Sequence, residues 1–158
     1  MKSKTSWIIA AVIVSLIILS AIIYDTVQSR TSFKALVLDR IEEKKKSITS
    51  IELIKMDLGK PIETSLNERV TITDQPTIEA IIDRLSDVQL REDNYSPDSY
   101  YWIKIYTDNV DSFDIHISGQ YMPRVHGNNM YDSDHKYNSR GYKILNTYDN
   151  SIIENLFQ

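Results

Sequence analysis

The chain has 158 residues, 42% of them hydrophobic, with 18 Lys and Arg, 22 Asp and Glu, 4 Gly, 4 Pro and no Cys. The lack of Cys excludes disulfides, thiol catalysis, thiolate metal centres and a lipid-modified N-terminal Cys. All 22 acidic residues, and all the basic ones except Lys2 and Lys4, follow Tyr24. The bulk of the chain is therefore acidic, and no basic surface for nucleic acid or anionic lipid is expected.

The first element is the run from Trp7 to Tyr24 (WIIAAVIVSLIILSAIIY), which holds no charge, Gly or Pro. As a helix rising about 1.5 Å per residue it covers roughly 27 Å, close to the ~30 Å hydrocarbon core of a bilayer. Intrahelical bonds satisfy its backbone, and Trp7 and Tyr24 close it with rings suited to the headgroup region. Lys2 and Lys4 precede the run, and no cation follows Tyr24 before Arg30. That asymmetry directs residues 1–6 to the cytoplasm and the C-terminal bulk outward. A cleaved signal peptide shares the charge pattern, but Leu19-Ser20-Ala21 is a poor cleavage site and Ile22-Ile23-Tyr24 continues the apolar run. The expectation is a single-pass signal anchor in the cell membrane, touching the lipid bilayer through residues 7–24.

Residues 25–46 read as a juxtamembrane helical stalk. Phe33, Leu36, Val37 and Ile41 fall at helical spacing, and Lys44-Lys45-Lys46 places cations where a helix C-terminus favours them.

From Ser47 the period changes to two, the signature of strands with one buried face. Ser50 to Met56 and Arg69 to Thr73 read as an antiparallel pair joined by a long link containing Gly59, Pro61 and Asn67. Asp74 then offers an N-cap, Pro76 sits in a first turn that needs no N–H, and Ile78, Ile81, Ile82 and Leu85 form one apolar stripe. A polar linker is expected from Arg91 to Ser99.

Strands at Tyr101 to Thr107 and Phe113 to Ser118 follow, and keeping their Ile and Phe residues inward fixes the register parity. The shortest loop that satisfies it sets Ile105 opposite Phe113 and Ile103 opposite Ile115. Lys104 then faces Asp114 and Trp102 faces His116 on the other side. One more strand is expected near Met122 to His126, a last one near Tyr142 to Leu145, and a terminal helix capped by Asp149 or Ser151 with Ile152, Ile153, Leu156 and Phe157 inward. The whole is an α+β fold, an N-terminal transmembrane helix followed by a small antiparallel sheet covered by a central amphipathic helix, with a short C-terminal helix and an extracytoplasmic domain over 47–158.

The chemistry is sparse. There is no G-x-S-x-G, phosphate loop, H-E-x-x-H or paired Cys motif, so catalysis is not expected. His116, His126, His135, Asp132 and Asp134 have ligand-type side chains, but their spacing is irregular and no metal or other cofactor is assigned to them. Aromatic residues stand out instead, with Tyr95, Tyr100, Tyr101, Trp102, Tyr106 and Tyr121 around the central hairpin. Rings of this kind bury much area with few rotatable bonds and serve contact surfaces well. The outward residues Trp102, Lys104, Tyr106, Asp114 and His116 are the candidate partner-binding set.

The stretches ITSIELIKM and VTITDQPTIEAIIDRLSDVQL, within residues 47 to 90, resemble uncharacterised small membrane-anchored domains that Gram-positive bacteria place outside the cell. The resemblance implies an extracytoplasmic α+β module and carries no catalytic residue. The functional expectation is a non-catalytic module that binds another envelope protein or a peptide. The alternatives are a sensor or accessory subunit of an envelope complex and, third, a metal-dependent envelope enzyme.

Overall fold

The computed structural model describes residues 2–28, 30–56, 68–95, 97–98, 100–108, 110–127, 140–149 and 151–157. The chain divides into two compact units, Met1–Arg30 and Thr31–Gln158.

The first unit is dominated by helix α1 (Lys2–Gln28). Its segment Trp7–Tyr24 is long and apolar enough to cross a membrane, and none of it is buried inside the protein. The hydroxyl of Ser20 donates to the Leu16 carbonyl at 2.7 Å, so this polar group is satisfied within the helix itself.

Eight strands follow α1: β1 (Arg30–Ser32), β2 (Ile48–Lys55), β3 (Glu68–Ile72), β4 (Gln89–Glu92), β5 (Tyr101–Thr107), β6 (Val110–Ser118), β7 (Tyr121–Gly127) and β8 (Arg140–Ile144). They form one antiparallel sheet in the order β1-β4-β8-β7-β6-β5-β2-β3. The expected α+β class is therefore observed. Helix α3 (Gln75–Ser86) and the short helix α4 (Ser151–Glu154), with a 3₁₀ turn over Asn155–Phe157, complete it.

Alternation sets the inner face. Ile72, Ile51, Ile105 and Phe113 are aligned across β3, β2, β5 and β6, and Val70, Leu53, Ile103, Ile115 and Val125 form the next row out to β7. The expected hairpin register of β5 and β6 is the observed one, with a bulge after Ile105 toward the turn. At that turn Thr107 and Ser112 pair their buried hydroxyls at 2.6 Å, and Ser112 donates on to the Val110 carbonyl. The turn from β6 to β7 starts with Gly119 at φ +54, a conformation in which glycine has no Cβ penalty.

Helix α3 starts as its residues dictate. Asp74 accepts from the Thr77 N–H at 3.1 Å and from its hydroxyl at 2.7 Å, which holds the carboxyl below its usual range. Ile78, Ile81 and Leu85 are buried in the core, whereas Ile82 is only partly covered. At the other end of the chain Asp149 accepts from the Ser151 N–H and hydroxyl at the start of α4, at 2.9 Å each. Ile153 is buried, and Phe157 stacks on Tyr101 with ring centroids 5.9 Å apart.

Two expectations are corrected. Residues 31–46 are not a free stalk: a π-helical turn (Lys34–Leu38) runs into α2 (Asp39–Glu43), and Phe33, Leu36, Val37 and Ile41 are buried with the residues of α3 and the sheet in one core. The helical spacing was a true signal, but an apolar stripe in water is costly and finds its cover within the same domain. The Phe33 N–H donates to the Val88 carbonyl at 3.0 Å, fixing the segment to the start of β4. Helix α2 ends with Lys45 at φ +53, the Lys46 N–H reaching the Ile41 carbonyl and the Lys45 N–H that of Glu42, a Schellman closure made without glycine.

The second correction concerns the linker expected from Arg91 to Ser99, because its first residues belong to β4, which pairs with β8. Leu90 is fully buried there, and Asn146 secures the approach, its Oδ1 accepting from the Gln89 N–H and its Nδ2 donating to the Asp87 carbonyl, both at 2.9 Å. The link with Gly59, Pro61 and Asn67, and Asp132, Asp134 and His135, lie outside the described residues.

Candidate functional site

The outer face of the central strands carries the candidate residues. Strand parity forces them there: if Ile51, Leu53, Ile103, Ile105, Phe113, Ile115 and Ile117 point inward, Glu52, Trp102, Lys104, Asp114 and His116 point the other way. Cross-strand register assembles two rows. Thr71, Glu52, Lys104, Asp114 and His126 form one, and Arg69, Ile54, Trp102, His116 and Arg124 form the other.

Within these rows the side chains bind one another. The Trp102 indole N–H donates to Asp114 Oδ1 at 3.1 Å, while Lys104 Nζ lies 3.8 Å from the same oxygen and 4.7 Å from the centre of the Trp102 ring. The His116 ring sits against Trp102, centroids 5.0 Å apart and planes tilted by 47°. Alongside, Arg69 Nη1 donates to one oxygen of Glu52 at 2.7 Å and the Tyr106 hydroxyl donates to the other at 3.2 Å. Glu52 is buried to 8% exposure, so both of its oxygens are occupied where water is scarce. Ile54, between Arg69 and Trp102 in its row, is 2% exposed.

All five expected residues thus occupy one face, and four of them, Trp102, Lys104, Asp114 and His116, form one contiguous cluster. They are half-buried rather than open to water, because the rings and charges cover each other. The exposed rings are elsewhere: Tyr95 is 59% exposed and Tyr100 53%, with Tyr95 edge-on to Tyr121 at 5.0 Å. Sequence reasoning missed Glu52 and Arg69 as members. Their outward parity was visible in SIELIKM and RVTIT, but that β2 lies beside β5 was not.

Burial is the main reason that the His116 imidazole is pushed below its ordinary pKa, the Arg124 guanidinium adds to the effect and Lys104 contributes less; Asp114 opposes it. His116 is therefore neutral at pH 7. A neutral imidazole can accept a proton; the Thr107 and Ser112 hydroxyls are paired at the hairpin turn. Among the described residues no group of three or more His, Asp or Glu converges as a metal site. The arrangement is suited to contact through an aromatic and charge-paired face.

The chain matches no protein-family model, no curated protein and no solved structure.

Proposed function

We propose that the chain is a single-pass membrane protein, anchored through Trp7–Tyr24 with residues 1–6 in the cytoplasm, that presents its α+β domain outside a bacterial cell as a binding module for an envelope protein or peptide. The observation that carries the binding reading is the Trp102, Lys104, Asp114 and His116 cluster with Tyr106, Glu52 and Arg69 beside it. Aromatic groups held by matched charges are pre-organised, so a partner that covers them orders few side chains on binding. The uncovered apolar character of Trp7–Tyr24 supports the anchor, and the charge asymmetry around it supports the direction. The small anchored domains of Gram-positive bacteria that residues 47–90 resemble have the same plan.

The test uses the full-length protein in cells. A photoreactive amino acid replacing Trp102 should yield a discrete cross-linked adduct of higher mass, and Lys104→Glu should reduce its yield without loss of the folded protein. A reporter fused after Gln158 should be active outside, with the intact chain in the membrane fraction. A folded domain that gives no adduct from Trp102 refutes the binding face, and a soluble mature chain beginning near Ile22 or Asp25 refutes the anchor.

A further inference from the structure

A second surface lies in the helical layer, away from the outer sheet face. Between the π-turn with α2 and the first half of α3 runs a groove of about 350 Å³. Its floor includes Leu38, Ile48 and Ile82, one from each of three elements, and each of these is packed against the core yet only partly covered. Ile82 belongs to the same stripe as Ile78, Ile81 and Leu85, which are fully buried. The stripe is therefore wider than the domain's own cover. The volume is at the small end of the ~300–1,000 Å³ typical of ligand clefts, room for a few side chains rather than a domain.

The rim is acidic. Glu42 comes from α2, and Glu79 and Asp83 stand one turn apart on α3. Among the described residues none of the three makes an ion pair. Glu79 receives only a 3.4 Å bond from Gln75. Like charges at i and i+4 weaken a helix, and a cation placed over them removes that repulsion. Among the described residues of the lining the one cation, Lys46, donates to Asp108 at 2.6 Å. The groove thus combines an apolar floor with a negative field, which attracts cations and repels anionic lipid or acidic peptide.

We infer that this groove docks a segment of a partner protein that presents aliphatic side chains flanked by Lys or Arg. The aliphatic groups complete the cover of Leu38, Ile48 and Ile82, and the flanking cations meet Glu42, Glu79 and Asp83. The occupant is defined by charge complementarity as much as by the apolar floor.

Short fluorescein-labelled peptides with two Leu spaced i,i+2, i,i+3 or i,i+4 among Lys and Arg test it by anisotropy. The target is the full chain in neutral detergent micelles, with binding to empty micelles subtracted. At least one peptide should bind, and its Glu-for-Lys counterpart should not. Glu79→Lys with Asp83→Lys, and separately Ile82→Ser, should each weaken binding by about tenfold or more, while the unfolding midpoint confirms that the charge-reversed protein remains folded. Trp102→Ala should leave peptide binding unchanged, so the fate of the groove is read separately from that of the sheet face. Failure of all three peptides, equal binding of the acidic counterpart, or insensitivity to reversal of Glu79 and Asp83 overturns the inference.

Discussion

Phe33→Ala distinguishes a domain that starts at Thr31 from one that starts after a stalk. Phe33 is 0% exposed, and it shares the core with Leu36, Val37, Ile41 and the α3 stripe. Removing a buried Phe ring forfeits its transfer free energy and leaves a cavity that a packed core only partly closes, a loss of about 3–5 kcal/mol. Against a total stability of ~5–15 kcal/mol for a domain this is a large fraction. Were the segment a stalk in water, the same change would stay within about 0.5 kcal/mol. Ala35→Ser, on the exposed side of the same turn, is the control and should fall in that small range. The measurement is urea unfolding of the full chain in micelles, followed by Trp102 fluorescence. The protein has two Trp, so a Trp7→Phe background isolates the reporter. With a slope of ~1–3 kcal/mol per molar urea the midpoint should fall by about 2 M. A shift for Phe33→Ala no larger than that for Ala35→Ser would refute the placement of residues 31–46 in the core.

Ile81→Ala and Ile82→Ala should differ although the residues are adjacent. Ile81 is fully buried and should lose about 2–5 kcal/mol, whereas Ile82 on the groove floor, only partly covered, should lose clearly less; equal losses in urea unfolding would show that the facing of α3 is wrong. His116 should make stability depend on pH: its folded pKa lies below the ordinary 6.5, so the unfolded chain binds the proton more readily. Its stabilising contribution is complete above 6.5 and is lost as pH falls from there through the lower folded value. Urea midpoints measured between about pH 7.5 and about pH 5 should therefore decline, and His116→Gln should flatten that decline; an unaltered slope in the variant would remove His116 as its cause.

What could be read in the sequence was whatever depends on neighbours along the chain. Asp74 caps α3 because its side chain reaches Thr77, three residues on, and the β5–β6 register follows from a short turn plus the parity of two Ile-rich strands. The same parity puts Trp102, Lys104, Asp114 and His116 on one face. What depends on distant partners was hidden. The spacing of Phe33, Leu36, Val37 and Ile41 describes an apolar stripe equally well on a stalk or in a core, and only the carbonyl of Val88 and the face of α3 decide between them. Strand β4 offers one buried apolar residue, Leu90, too few to show a period, and exists because β8 supplies its partner.

The candidate face divides along the same line. Its local half, from one hairpin, was legible, while Glu52 and Arg69 enter it from β2 and β3 across a crossover that includes α3 and β4. That non-local half changes its physical character. By occupying both Glu52 oxygens, Arg69 and Tyr106 turn a carboxylate that parity alone would leave facing water into a buried, satisfied one. The aromatic cluster beside it is correspondingly held in place rather than loose. Under the proposed binding reading, such a surface has met much of the ordering cost of association within its own fold, and the partner is recognised by fit rather than by rearrangement.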